Sequence, residues 1–206
     1  MTPLVKVCGL VWPQDAAHAA AHGADLLGFV SHPPSARHCA DLNVAAPHLD
    51  RAVLVQVAEA PESILATARA HGFRHVQPHL PASQRERGVQ LLREAGIFVL
   101  LPWADEPDQA EVTADLYLWE PSPKATGLAG GSGLGHAMGF PPPGAFLLAG
   151  GLDGTTVTSR VAALPPDARV HFRGVDAASR LEASLGVKDP GKVLEFIRKA
   201  HDLECP

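Results

Sequence analysis

The sequence has few cysteines, and none of them stands at a spacing typical of metal or redox sites. The 206 residues include three cysteines, Cys8, Cys39 and Cys205, and no C-x-x-C motif. This odd, scattered set argues against a disulfide framework or a zinc knuckle. No H-E-x-x-H motif is present either. We therefore expect no metal site and a cytoplasmic chain whose thiols are reduced.

The chain also lacks an excess of positive charge and a long apolar run. Seventeen lysines and arginines stand against 22 acidic residues, which gives a formal net charge of −5. This balance argues against a nucleic-acid partner, which would require a basic surface. No apolar run reaches the roughly 18 residues of a membrane helix, and the opening residues do not resemble a secretion signal. We expect neither nucleic acid nor membrane as a partner.

Glycine and proline are abundant, with 19 of each, and they separate short apolar runs from helical stretches. Runs that are apolar on both faces, such as residues 98–101, are typical of parallel sheets. The predicted strands are residues 4–9, 24–30, 52–57, 75–79, 97–103, 116–120, 145–151 and 170–176. The predicted helices are residues 13–22, 61–71, 83–95, 106–114 and 189–203.

Alternation of strands and helices predicts right-handed βαβ units. Eight units in 206 residues give about 26 residues each, close to the lower size limit of a (β/α)8 barrel. A doubly wound sheet is the alternative, but it usually has fewer strands, and the first βα turn lacks G-x-G-x-x-G. We predict one barrel domain over residues 1–206. Residues 121–144 are rich in Gly and Pro, which predicts a long loop, so the sixth helix should be irregular or shortened.

Two glycine-rich segments follow the last two predicted strands. Gly150 and Gly151 come after the seventh strand, and residues 174–179 come after the eighth. The last two βα loops of barrels often bind phosphate through backbone amides, and a short helix after Asp176 would add its dipole. The alternative is that these glycines only form tight turns. A third segment, Gly130-Gly-Ser-Gly133, resembles a linker and is a weak signal by itself.

Three side chains at strand ends or in loops have the chemistry of a catalytic site. Cys8 ends the first strand, where it can point into the barrel mouth, and a helix dipole nearby would lower the pKa of its thiol. Glu120 ends the sixth strand, where a carboxylate needs solvent, a partner or a substrate. Arg37 follows a Pro-rich loop and suits a phosphate or carboxylate clamp. The alternatives are a core cysteine, a solvated rim carboxylate and a solvated arginine.

With these residues in place, the chain resembles the phosphoribosylanthranilate isomerase family over nearly its whole length. The resemblance implies a (β/α)8 enzyme of tryptophan biosynthesis that performs an Amadori rearrangement of N-(5′-phosphoribosyl)anthranilate without cofactor or metal. Its partner would be this phosphorylated small molecule, and the chain would be a monomer or a homodimer. The matching motifs are Val5-Lys-Val-Cys-Gly-Leu10, Gly23-Ala-Asp-Leu-Leu-Gly-Phe-Val30, Ser35-Ala-Arg37, Val76-Gln-Pro-His79, Gly130-Gly-Ser-Gly133, Leu148-Ala-Gly-Gly-Leu152, Gly174-Val-Asp176 and Gly186-Val-Lys-Asp189.

The same resemblance implies roles for individual residues. Cys8 matches the general base, and Glu120 aligns with the family's general acid. Arg37 would lie near the anthranilate carboxylate. The remaining substrate-binding residues would be Gln77, Gly130 and Gly131, and the phosphate-binding residues would be Gly150, Gly151, Ala178, Ser179 and Arg180.

The chain departs from the family pattern at several of these positions. Glu120 replaces an aspartate and is one methylene longer, and a misplacement of ~1 Å can cost about a hundredfold in rate. Gln77-Pro-His-Leu80 replaces Gln-Leu-His-Gly, and His136-Ala-Met138 replaces Phe-Asp-Trp. Ala178-Ser-Arg180 replaces Ser-Ser-Gly, so Arg180 would contact phosphate directly. These changes leave two alternatives open: an enzyme for another phosphosugar, or a silent barrel that binds a phosphometabolite or a partner enzyme.

Overall fold

Eight parallel strands form a closed barrel in chain order. The computed structural model describes residues 2–104, 112–120 and 141–205. Each strand pairs with the next, and β8 closes the barrel by pairing with β1, where Lys6 is in register with Asp176. The predicted (β/α)8 class is confirmed. The strands are β1 (Leu4–Cys8), β2 (Leu26–Ser31), β3 (Ala52–Val57), β4 (His75–His79), β5 (Phe98–Ala104), β6 (Leu116–Glu120), β7 (Phe146–Leu148) and β8 (Phe172–Ala177).

Helices follow most of the strands in the described part of the chain. They are α1 (Pro13–Ala21), α2 (Pro61–His71), α3 (Ala82–Glu94), α4 (Val157–Ala162), α5 (Pro166–Arg169) and α6 (Pro190–His201), with 3₁₀ helices at Leu42–His48 and Ser179–Leu181. Proline begins α1 and α2 because its fixed φ suits the first turn. Gly72 ends α2 at a φ of 77°, a left-handed conformation that side chains rarely adopt. None of the described helices is long and apolar enough to span a membrane.

Several predicted boundaries agree with the structure. Strands β3, β4 and β6 and helix α2 begin and end where the sequence predicts. Strand β7 is shorter than predicted, and β8 begins two residues later because α5 occupies the preceding segment. Most of the predicted helix 106–114 lies outside the described residues, and residues 112–114 are not helical. Most of the segment in which an irregular or shortened sixth helix is expected also lies outside them, and the extent of the single domain stays a prediction.

The barrel separates two apolar clusters, because successive side chains of a strand point to opposite faces. The outer cluster lies between the strands and the helices, and includes Trp119 packed edge-to-face on Phe146. The inner cluster fills the barrel. Its buried members are Cys8, Leu26, Val53, Val55, Leu100, Leu116, Leu118, Leu147 and Ala149. Cys8 therefore belongs to the inner face of the barrel.

A small hairpin that the sequence did not predict follows β8. Its strands are β9 (Glu182–Ser184) and β10 (Val187–Lys188), and they pair antiparallel. The backbone N–H of Lys188 donates to the Asp15 carboxylate of α1 at 3.0 Å. This bond holds the hairpin against the first helix.

Pro78 lies inside β4, where it interrupts the ladder on one side. On the β3 side, pairing continues to the end of the strand, at Val57 and His79. On the β5 side, the register pairs are His75 with Phe98 and Val76 with Val99. Proline has no N–H to donate to a neighbouring strand. The ladder from β4 to β5 thus ends before Pro78.

Candidate active site

A cleft opens at the carboxyl ends of the strands, the face where barrel enzymes build their sites. It brings together Cys8 of β1 and Glu120 of β6, as the sequence predicts. Arg37 and Gln77 also lie on its wall. The residues that line it are Cys8, Gly9, Val30, His32, Ser35, Arg37, Val55, Val57, Gln77, His79, Leu118, Glu120, Asp176 and Ala178.

Cys8 is buried at the end of β1, and its sulfur lies against β2. Its register partner there is Gly28. A Cβ atom on Gly28 would lie 2.7 Å from the Cys8 sulfur, which is closer than van der Waals contact permits. The missing side chain of Gly28 therefore makes room for the thiol.

A charged layer lies directly below the thiol. Lys6, two residues before Cys8, points to the same inner face and is 0% exposed. Its Nζ lies 2.7 Å from Asp176 Oδ1 and 2.9 Å from Gln77 Oε1. Burial alone would lower the pKa of Lys6, but the charges of Asp176 and Cys8 raise it above its ordinary value. Lys6 is therefore a permanent cation inside the barrel.

The hydrogen bonds of Gln77 fix the protonation of His79. Lysine can only donate, so Gln77 Oε1 accepts from Lys6, and Gln77 Nε2 must donate to His79 Nε2 at 3.1 Å. His79 Nε2 is then an unprotonated acceptor. Burial, with the charges of Lys6 and His32, lowers the pKa of His79 to about 4. His79 is thus neutral, with its proton on Nδ1.

The Cys8 thiol has a raised pKa, contrary to the sequence-based expectation of a lowered one. Burial is the main cause, and the charge of Asp176 adds to it, whereas Lys6 and Lys188 act in the opposite direction. The short helix expected after Asp176 is a three-residue 3₁₀ turn, Ser179–Leu181. The resting cysteine is therefore mainly protonated near neutral pH.

Glu120 is half-buried at the end of β6 and faces the same cleft as Cys8. Burial and the charge of Asp176 raise the pKa of its carboxyl to about 7, and Lys6 opposes the rise. A carboxyl group with this pKa carries a proton about half the time at neutral pH. It can therefore act as a general acid.

Arg37 has an ion-pair partner within the chain. Its Nε and Nη2 lie 2.6 and 3.0 Å from the two carboxylate oxygens of Glu182 in β9. Lys188 reaches the same carboxylate at 3.4 Å and donates to the Ala178 carbonyl at 2.9 Å. These contacts join the loop after β2 to the hairpin, at the edge of the cleft.

The two predicted phosphate loops lie side by side. Gly150 and Gly151 adopt φ values of 88° and 69°, a region that favours glycine. In the loop after β8, Ala178 precedes the 3₁₀ turn that begins with Ser179. The guanidinium of Arg180 lies 3.2 Å from Asp153, which joins the two loops.

Asp153 is the anchor of the loop after β7. Its carboxylate accepts hydrogen bonds from Thr155 and Thr156. Burial alone would raise the pKa of Asp153, but these bonds and Arg180 lower it to about 2. Gly130 and Gly131, predicted to bind substrate, lie outside the described residues.

Sequence reasoning did not assign a role to several charged residues of this site. Lys6 stands inside the apolar run Val5–Val7, and Asp176 ends the predicted eighth strand. A charge within a strand that is apolar on both faces is itself a signal, because it requires a buried partner. Glu182 and Lys188 had no such signal, since the hairpin that carries them was not predicted.

A family model described as N-(5′-phosphoribosyl)anthranilate (PRA) isomerase matches residues 5–199 of the chain. The chain belongs to the phosphoribosylanthranilate isomerase family. Among the curated isomerases, the one from Deinococcus radiodurans is 36% identical over 213 residues, which cover 94% of each chain. The one from Dechloromonas aromatica is 30% identical and covers 98% of this chain and 99% of its own.

Solved structures of the family share the fold. Phosphoribosylanthranilate isomerase from Thermotoga maritima superposes with a TM-score of 0.75 at 24% identity, covering 98% of this chain and 100% of that one. A further family structure, also 24% identical over 98% of this chain and 100% of that one, has a TM-score of 0.70. That structure is a complex with reduced 1-(o-carboxyphenylamino)-1-deoxyribulose 5-phosphate.

Proposed function

We propose that the protein isomerises N-(5′-phosphoribosyl)anthranilate to 1-(o-carboxyphenylamino)-1-deoxyribulose 5-phosphate. The observation that carries the assignment is the shared cleft of Cys8 and Glu120 in a chain of this family. The reaction needs an acid and a base that act on different atoms of one sugar, and it needs no redox partner. The two side chains supply both.

Glu120 is the proposed general acid. It transfers its proton to the ribose ring oxygen while the bond between that oxygen and C1 breaks and the nitrogen lone pair forms a double bond to C1, which leaves an open-chain protonated imine. A pKa of about 7 suits this role, because the proton is held until the ring oxygen gains charge.

Cys8 is the proposed general base. Its thiolate removes the proton from C2, and the electron pair moves toward the imine nitrogen to form an enol-amine. C1 then gains a proton and the C2 hydroxyl loses one as the C2 ketone forms, so that the sum of the steps is an isomerisation. The raised pKa of the thiol makes the thiolate a stronger base, although a scarcer one.

The remaining contacts would hold the substrate in place. Gly150, Gly151, Ala178 and Ser179 would donate backbone amides to the phosphate, and Arg180 would add its charge. Arg37, at the edge of the cleft, would face the anthranilate carboxylate. Its pairing with Glu182 would orient the guanidinium before the substrate arrives.

A fluorescence assay that follows the consumption of N-(5′-phosphoribosyl)anthranilate tests the proposal. The purified chain should turn over the substrate, and Cys8→Ser and Glu120→Gln should each lower kcat by roughly 10²–10⁴-fold. Cys39→Ser is the matched control, since this second buried thiol lies outside the cleft, and its kcat should not change. Substrate binding without turnover by the wild-type chain would contradict the proposal and favour a silent barrel.

A further inference from the structure

Lys6 is the charged residue closest in sequence to Cys8, and no step of the proposed reaction uses it. Both residues belong to β1 and point into the barrel, at Cα positions about 6.6 Å apart along an extended strand. The ammonium is fully buried between Asp176 and Gln77. It has no access to solvent.

Stability gives little reason for this arrangement. A buried ion pair is often no more stabilising than packed apolar side chains of similar volume, because desolvation offsets the attraction. The rest of the inner cluster is apolar. A cation below the thiol is therefore better explained by its electrostatic effect on the sulfur.

We propose that Lys6 is a positioning residue that acts through Cys8, since its ammonium stabilises negative charge on the sulfur when the thiol becomes the base. Asp176 and Gln77 hold the ammonium at this level of the barrel. The inference deepens the proposed function and rests on it for its catalytic meaning. The charge effect on Cys8 itself can be measured without substrate.

Other charges also face Cys8 and belong to the same balance. Lys188 favours the thiolate and Asp176 disfavours it, and burial opposes the thiolate most strongly. The titratable and charged groups around the cleft are Lys6 of β1, His32 and Arg37 after β2, His79 of β4, Glu120 of β6, Asp176 of β8 and Lys188 of β10. Among the cations, Lys6 has the largest influence on the thiol.

The experiment measures alkylation of Cys8 by iodoacetamide as a function of pH, with the Cys8 peptide quantified by mass spectrometry. Lys6→Met removes the charge and leaves an unbranched side chain that is one atom shorter. Its Cys8 should react about tenfold more slowly at pH 8, with the midpoint of the pH curve displaced upward by about one unit. Lys192→Met is the matched control, because this lysine is exposed and donates to the Glu182 carbonyl. Cys8 of this variant should be alkylated at the wild-type rate.

Asp176→Asn provides the opposite perturbation. It keeps an oxygen acceptor for Lys6 and removes a negative charge near the sulfur, so Cys8 should react faster than in the wild type. If Lys6 had a purely structural role, the two variants would not be expected to change the alkylation rate of Cys8 in opposite directions. If Lys6→Met does not fold, the double variant Lys6→Met/Asp176→Asn leaves no buried charge alone, and its Cys8 should react more slowly than that of Asp176→Asn.

An unchanged midpoint in Lys6→Met, or displacements of the same sign in Lys6→Met and Asp176→Asn, would overturn the inference. In the isomerase assay at pH 7, Lys6→Met should lower kcat about tenfold and leave KM within about twofold. If the wild-type chain shows no isomerase activity but Lys6→Met still slows alkylation, the proposed function fails. The charge effect on Cys8 would then stand.

Discussion

Glu120→Gln should stabilise the fold at alkaline pH while it removes the proposed acid. The carboxyl has an ordinary pKa of 4.5 and a pKa of about 7 in the folded chain, mainly because of burial. The folded state therefore favours the protonated form. The contribution of the protonated Glu120 carboxyl to the free energy of unfolding is fully present below about pH 4.5, and it is lost as the pH rises through about 7.

The magnitude follows from the two pKa values. A difference from 4.5 to about 7 corresponds to about 3 kcal/mol of unfolding free energy, at 1.36 kcal/mol per pH unit. The neutral amide of glutamine does not pass through this transition. Relative to the wild type, the variant should gain up to about 3 kcal/mol at pH 8.5 and less than about 1 kcal/mol at pH 5.

Thermal unfolding followed by circular dichroism measures this difference. For a chain of 206 residues, the gain corresponds to a Tm roughly 5–10 °C higher at pH 8.5. Glu59→Gln, a change at an exposed carboxylate on the same side of the barrel after β3, is the control and should show no pH-dependent gain. An equal effect of Glu120→Gln at both pH values would refute the reasoning.

Three further outcomes are expected. The proposed mechanism needs Cys8 as the thiolate and Glu120 as the acid, and the population of this form grows with pH until Glu120 titrates. The pH profile of kcat/KM should therefore rise up to about pH 7 and fall only above 9.0, the ordinary value that the Cys8 pKa exceeds. The working form, with a thiolate and a carboxylic acid, exists between these limits, and a maximum below pH 6 would contradict the assignment. Gly28→Ala should lower kcat roughly tenfold to a hundredfold in steady-state assays, because the new Cβ would lie 2.7 Å from the Cys8 sulfur. Gly174→Ala should cost at least about 3 kcal/mol in urea unfolding, since its Cβ would lie 2.0 Å from the Leu4 carbonyl oxygen; a cost below 1 kcal/mol would show that β1 and β8 can move apart.

The sequence predicted the barrel because local patterns determine most of it. The runs 98–101 and 146–149 are apolar on both faces, and Pro61 and Gly72 mark the start and the end of the helix that follows β3. These patterns depend only on residues that are close in sequence, so contacts between distant parts of the chain do not alter what they predict. Strand β7 was predicted too long because Ala149 and Gly150 continue an apolar run, although the strand ends at Leu148.

The site was predictable only in part, because its electrostatics depends on contacts between distant residues. The placement of Cys8 and Glu120 at strand ends was predicted, and both face one cleft. The direction in which the Cys8 pKa is shifted was not predicted, because burial of the thiol outweighs the effect of the cations around the sulfur. The pairing of Arg37 with Glu182, 145 residues later in the chain, has no local signature.

The interruption at Pro78 makes the wall of the barrel unequal around its circumference. Between β4 and β5, register pairs are found at His75 and Val76 among the described residues, whereas β3 follows β4 to its last residue. Local opening begins where backbone hydrogen bonds are fewest. Backbone amides in the C-terminal half of β5 that face β4 should therefore exchange with deuterium sooner than those of β3. Local opening of the barrel would then begin beside His79.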